Sequence, residues 1–262
     1  VSQDRAIGTL LQEGDPDPTE ILYREAQSDF FLICEHAGRM IPGALGDMGL
    51  GEDDRRRHIA WDIGARQLAV ALSQRLGCPL YMQRYSRLVC DCNRRPDVPS
   101  FTPERSEDTI VPANVDLTAA QRQKRADEIF WPFHNAVSQA LGRRKSAGRK
   151  TNLVTIHTFT PVFQGRTRPW EIGVLFNRDR RFAPAIAEWL KANSDHIIGI
   201  NEPYAVSDES DYAIPVHGEN NGLPCVEFEI RNDLLSSDGS VAYWSELLER
   251  ALRETRLSSI RS

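Results

Sequence analysis

Phe30-Phe-Leu-Ile-Cys34 is an unbroken apolar run of strand length that stops at a charged pair, Glu35-His36, with Ala37-Gly38 following at once. A run of this kind is a buried strand, and its abrupt polar end places a charged pair at the rim of a sheet, where open α/β sheets collect their ligands. Two later stretches have the same form. Leu153-Val-Thr-Ile156 is rich in β-branched residues and closes at His157-Thr158. Cys225-Val-Glu-Phe-Glu-Ile-Arg231 alternates apolar residues with charged ones, so Glu227 and Glu229 point to one face of their strand. The expectation is that these three strand ends meet.

Between them, strands alternate with helices. Further strands are expected at 79–82, 87–91, 171–176 and 197–200. Ile63, Leu68, Ala69, Leu72 and Leu76 recur at helical spacing in a helix opened by Asp62 and closed by Gly77. A second helix runs from about Leu117 to Leu141 with Pro132 kinking it near Phe130-Trp131; others span 182–193 and about 240–256, with a short helical turn at Asp53-Asp54. Residues 1–29 read as a loosely structured arm, with Thr19 to Arg24 laid on the surface. The stretches 41–53, 95–116, 159–169 and 201–222 read as loops, and segments that long in a compact domain often border a site. The pattern predicts one α/β domain over residues 1–262: three layers, α/β/α, around a mostly parallel, mixed central sheet.

The 262 residues carry a net charge of -5, and no basic stripe is interleaved with aromatics, so a nucleic-acid partner is not expected. No apolar run approaches the ~20 residues that span a bilayer, so no membrane partner is expected either. The N-terminal residues show no apolar signal-peptide core. Five cysteines, an odd number without a Cys-x-x-Cys, read as buried free thiols, and the expected location is cytoplasmic. The oligomeric state is left open. No Gly-x-Ser-x-Gly and no Gly-x-Gly-x-x-Gly after a strand is present, which argues against a serine nucleophile or a nucleotide cofactor.

His36 and His157, each ending an apolar strand, are candidate ligands of a divalent metal, zinc by its preference for such donors. One such histidine alone would read as a buried, hydrogen-bonded side chain; two at equivalent positions point to a shared role. The third ligand is a carboxylate, with Glu35, Asp62 and Asp91 as candidates and Asp62 preferred. The competing role for Asp62 is an acid stabilised at a helix N-terminus. Glu229 is the candidate general base, set against a Glu-Arg ladder with Arg231 as the structural alternative. Arg87, Asn93 and Arg94 are candidates to grip a substrate carboxylate, unless Asp91 and Asp97 already pair with the arginines.

The order Glu35-His36-Ala-Gly-Arg39, Arg87-Leu-Val-Cys-Asp91-Cys-Asn93-Arg94, Thr155-Ile-His157-Thr158-Phe159, Asn201-Glu-Pro203-Tyr204 and Glu227-Phe-Glu229-Ile-Arg231 resembles the N-formylglutamate amidohydrolase family over about residues 28–236. That family is similar in fold to zinc carboxypeptidases and to deacylases of acylated glutamate and aspartate. Those relatives carry a second ligand in a His-x-x-Glu, where this chain has Arg39. Zinc amidases of the cell wall place an acid at the start of the next helix instead, in keeping with Asp62. The resemblance implies hydrolysis of the amide of a small acidic N-acyl amino acid such as N-formyl-L-glutamate, with Glu229 shuttling the proton. It also implies that Arg166, Arg168 and His217 complete an acid pocket or stabilise the oxyanion. The alternatives are a zinc amidase acting on a peptide or cell-wall amide, and a metal-free binder of acidic ligands.

Overall fold

A computed structural model describes residues 8–258. Its centre is a seven-stranded sheet: β1 (Thr19–Leu22), β2 (Phe30–Cys34), β3 (Leu80–Gln83), β4 (Asn152–Phe159), β5 (Ile172–Leu175), β6 (Ile198–Ile200) and β7 (Cys225–Arg231). Their spatial order is β1-β3-β2-β4-β7-β5-β6. Strands β3, β2, β4 and β7 run parallel, as do β5 and β6, while β1 is antiparallel to β3 and β5 antiparallel to β7. The expected mixed, mostly parallel sheet is therefore present, with the apolar run 30–34 in its interior.

Two layers cover the sheet. On one face Phe30, Leu32, Val154, Ile156, Val226 and Phe228 pack against α2 (Ala65–Leu76), α5 (Ala183–Asn193) and α6 (Asp238–Ser258). On the other, Phe31, Ile33 and Leu153 pack against Phe130, Phe133 and Val137. Those three belong to a continuous rod: α3 (Ala119–Arg125), a π-helical turn (Ala126–Phe130) and α4 (Trp131–Ser146). Pro132 sits just after the π turn, where its missing N–H falls next to a widened hydrogen-bond spacing. The helix continues past the expected Leu141 to Ser146.

Three expectations are corrected. Thr19–Leu22 is an edge strand paired with β3, not a surface segment of a loose arm; residues 1–7 of that arm lie outside the described residues. Residues 87–91 are not a strand. Their backbone donors go to three separate segments, Arg87 N to Ala60 O, Val89 N to Ser86 O and Asp91 N to Phe101 O, so an apolar run is buried in turns without any ladder. Asp62 precedes its helix rather than opening it: Gly64, at a φ of 86°, is the N-cap of α2. The expected loops also carry small elements, including a hairpin of Arg105–Ser106 with Thr109–Ile110 and a second π turn at Ala213–Gly218. The short α1 (Glu52–Arg56) lies where a helical turn was expected. Among the described residues no helix is long and apolar enough to cross a membrane.

Candidate active site

The carboxyl ends of β2, β4 and β7 converge on one buried cluster. After Cys34 the chain turns through Glu35-His36, and Gly38 lies so close to Arg84 that a Cβ would stand 2.0 Å from its carbonyl oxygen. Only glycine permits that approach, and the approach directs His36 inward. Asp62 is tied to both neighbouring strand ends. Its N–H donates to His36 O at 3.0 Å, and its Oδ2 accepts from Thr158 N at 3.2 Å. Thr158 Oγ1 donates to Ile63 O at 2.9 Å and anchors the same turn. In register, His157 on β4 stands beside Glu229 on β7, and Thr155 beside Glu227.

Three potential ligand atoms result. His36 Nδ1 and His157 Nδ1 are 3.1 Å apart, His157 Nδ1 lies 3.1 Å from Asp62 Oδ2, and His36 Nδ1 lies 3.4 Å from the same oxygen. Three atoms of a tetrahedral site with metal–ligand bonds of ~2.0 Å are separated by about 3.3 Å. His36, Asp62 and His157 are all buried.

The far nitrogen of His36 decides its tautomer. His36 Nε2 lies 2.7 Å from Asp91 Oδ1, and a carboxylate oxygen can only accept, so Nε2 carries the proton and Nδ1 is bare. His157 Nε2 lies 3.1 Å from Glu35 Oε2 and 3.9 Å from Glu227 Oε2, at ion-pair distance but without a hydrogen bond to either. Two ring nitrogens and a carboxylate oxygen thus crowd into one small volume. That is repulsive unless a positive charge stands among them. The electrostatics agree. Burial alone would lower the His157 pKa, yet Glu227, Glu35 and Asp62 override it and raise it well above the usual value. Burial would raise Asp62, but His36, His157 and Arg87 hold it below the carboxylate range. The donor set fits a divalent cation.

Arg87 supports this cluster. Its Nε and Nη2 donate to Asp91 Oδ2 at 3.0 and 2.7 Å, and its Nη1 to Asp62 Oδ1 at 3.3 Å. Asp91 Oδ1 also accepts from Asn93 N at 2.9 Å. Although buried, Asp91 is held well below its ordinary pKa by Arg87 and His36. Asn93 Oδ1 accepts from the backbone of Tyr212 and Ala213, and Arg94 Nη1 donates to Asp211 Oδ1 at 2.5 Å.

A cleft of about 330 Å³ opens onto the cluster, lined among others by His36, His157, Arg87, Asn93, Arg94 and Glu229. Glu229 is buried and its Oε2 has no hydrogen-bond partner. Burial pushes its pKa well above the usual value, with His157 opposing. Glu227, which accepts from Thr155 Oγ1 at 3.2 Å, is pushed up to about 7, first by burial and against the pull of His157. Opposite Glu229 sits Gly173, where a Cβ would meet Glu202 O at 2.2 Å. Arg168 and His217 do not line the cleft. Arg168 stacks on Phe163 and Tyr204, 4.5 and 4.8 Å from their ring centres, and both rings do line it. His217 Nε2 lies 2.8 Å from His134 Nδ1, whose Nε2 is 2.8 Å from Cys92 O. Burial holds both imidazoles neutral, with His217 lowered to about 4. Glu227 and Tyr204 were not singled out as site residues from the sequence, although Glu227 shares its strand face with Glu229. Arg166 lies on the exposed hairpin Val162–Phe163/Arg166–Thr167.

The model of the N-formylglutamate amidohydrolase family matches residues 28–236 of this chain. The chain belongs to that family and is an amidohydrolase. Among solved structures it is similar to gene product Atu2144 from Agrobacterium tumefaciens, with a TM-score of 0.93 and 38% identity over 97% of this chain and 100% of that one. It shares its fold with N-formylglutamate amidohydrolase from Ralstonia eutropha JMP134, with a TM-score of 0.66 and 18% identity over 92% of this chain and 98% of that one. The comparison with curated proteins found no match.

Proposed function

We propose that this amidohydrolase is metal-dependent and cleaves the formyl C–N bond of N-formyl-L-glutamate, releasing formate and glutamate. The observation that carries the reading is the convergence of His36 Nδ1, His157 Nδ1 and Asp62 Oδ2, with the outer nitrogens of the two imidazoles beside Asp91 and Glu35. Two histidines and one carboxylate would suit zinc, and His36 and His157 line the cleft. A divalent cation held there supplies Lewis acidity, lowering the pKa of a water and polarising an amide carbonyl.

The protein side chains do the rest. Glu229, with an unpartnered buried oxygen and a raised proton affinity, takes the proton of the attacking water and returns it to the departing amine nitrogen. Asn93 and Arg94 hold the α-carboxylate next to the scissile bond: Arg94 commits Nη1 to Asp211 and the Asn93 carbonyl, and its Nη2 has no hydrogen-bond partner among the described residues. Arg87 keeps Asp62 and Asp91 ionised and oriented rather than gripping substrate. Arg168, stacked on Tyr204, keeps that phenol in the cleft wall.

A cleft of about 330 Å³ favours a small substrate over a peptide or cell-wall amide. Turnover of N-formyl-L-glutamate, N-formyl dipeptides and cell-wall peptides by zinc-loaded and chelator-treated protein tests the proposal. The expected result is metal-dependent release of formate from N-formyl-L-glutamate at least ~10-fold faster than any peptide hydrolysis. Activity unmoved by chelation, or a preference for peptides, would overturn it. Binding of N-formyl-L-glutamate without turnover would favour the metal-free binder.

A further inference from the structure

N-formyl-L-glutamate carries two carboxylates. The α-carboxylate adjoins the scissile nitrogen and must lie beside the metal ligands, whereas the side-chain carboxylate reaches outward. The cleft is poor in free positive charge at that outer end. Asp91, Glu107, Asp211, Glu227 and Glu229 line it against Arg87, Arg94 and Arg105. Arg87 is bound to Asp91 and Asp62, and Arg94 to Asp211. Arg105 differs: it lines the cleft, is exposed, and its guanidinium makes only a long 3.4 Å bond to the carbonyl of Asp108 among the described residues.

The segment bearing Arg105 is fixed rather than loose. Arg105–Ser106 pairs with Thr109–Ile110, and the Glu107 carboxylate at the tip lies 2.7 Å from Arg57 Nη2 and 3.2 Å from His58 Nε2. Arg57 also donates to Thr109 Oγ1 at 2.8 Å. At the base, Asn114 Nδ2 donates to Pro103 O and Leu88 O, both at 2.8 Å, and Arg122 holds Thr102 and Pro96. A fixed strap loses little entropy when its side chain engages a ligand. The strap carboxylate that lines the cleft, Glu107, is already engaged by Arg57 and His58.

We infer that Arg105 is the specificity-determining residue of this enzyme, reaching over the cleft mouth to hold the side-chain carboxylate of the N-formyl amino acid. The guanidinium fork matches a carboxylate in bidentate fashion, which a neutral amide of the same shape cannot satisfy. The assignment rests on the N-formyl-L-glutamate reading above.

The test is a two-by-two comparison of kcat and KM for N-formyl-L-glutamate and N-formyl-L-glutamine, in wild type and in Arg105→Ala and Arg105→Gln, with thermal unfolding as the folding control. Wild type should favour the glutamate substrate by ~10-fold or more, chiefly through KM. Both variants should lose that preference, with glutamine turnover nearly unchanged and Tm retained, since Arg105 is exposed. Arg105→Lys should recover part of it. A glutamate preference kept in both variants overturns the role of Arg105 while leaving the proposed function intact. Wild-type protein that hydrolyses neither substrate with metal loaded overturns the substrate reading and this assignment together.

Discussion

His36 and His157 face each other through Nδ1 atoms 3.1 Å apart, with their Nε2 atoms beside Asp91 and Glu35. Ring nitrogens held that close, inside a protein, favour a cation between them more than either histidine does alone. Freshly purified protein is therefore expected to contain close to one divalent ion per chain by elemental analysis. Asp62→Ala and His157→Ala should each lower metal content to a small fraction. Full occupancy in both variants would remove the ligand assignment.

Asp91 touches His36 through Nε2, not through the Nδ1 that faces His157. Replacing it by asparagine leaves His36 without its ionised partner and frees one side of Arg87. Loss of such a partner carboxylate costs ~10–100-fold in metal affinity. A competition titration with a zinc chelator checks this; an affinity equal to wild type would show that Asp91 serves only Arg87.

Glu229→Gln preserves shape and removes the proton acceptor. With metal content unchanged, kcat should fall by about 10²-fold or more while KM moves little. Glu227→Gln is the control on the same strand face: it lies 3.9 Å from His157 Nε2, and its loss should have the smaller effect on kcat. Equal losses in the two variants would count against the distinct role of Glu229.

Gly173→Ala places a Cβ 2.2 Å from Glu202 O and 3.2 Å from the Glu229 Cβ. Overpacking of this kind costs about 1–3 kcal/mol. Chemical denaturation should show the loss, and kcat should fall as well because β5 carries the wall behind Glu229. A stable, fully active variant would contradict the tight packing at this crossing.

The His134–His217 pair is buried and neutral, and burial lowers His217 from 6.5 to about 4. A histidine with a depressed folded pKa binds its proton more readily when unfolded. Its contribution is therefore complete above the unfolded value near 6.5 and is lost as the pH falls toward 4. Metal-free protein should lose about 2 kcal/mol of unfolding free energy through this group between pH 7 and pH 5. The loss should shrink in His217→Gln. An unchanged pH slope in that variant would sink the argument.

Much of the architecture is readable along the chain because it is written in local pattern. The runs 30–34 and 153–156 and the alternation at 225–231 have the periodicity and burial of strands, and they do end together. Residues 87–91 misled because Leu88-Val89-Cys90 is as apolar as a strand; what makes a strand is a neighbouring ladder, and here Ala60, Ser86 and Phe101 accept the backbone donors instead. The same absence of long-range information hid β1, whose four residues become a strand only because β3 offers an edge.

By itself the sequence determined the layered α/β class and the placing of His36, His157 and Glu229 at strand ends. Strand periodicity and the rule that side chains alternate were sufficient for these. Only the tertiary structure decided where each carboxylate stands. Glu35 and Asp91 could have been ligands by sequence, but folding places them against the outer nitrogens of the two histidines and leaves Asp62 Oδ2 facing the inner ones. Likewise Arg87, Arg94 and Arg105 are equivalent cations in one dimension. Among the described residues, folding brings Asp211 to Arg94 from far along the chain, adds Asp62 to the nearby Asp91 at Arg87, and brings no carboxylate to Arg105.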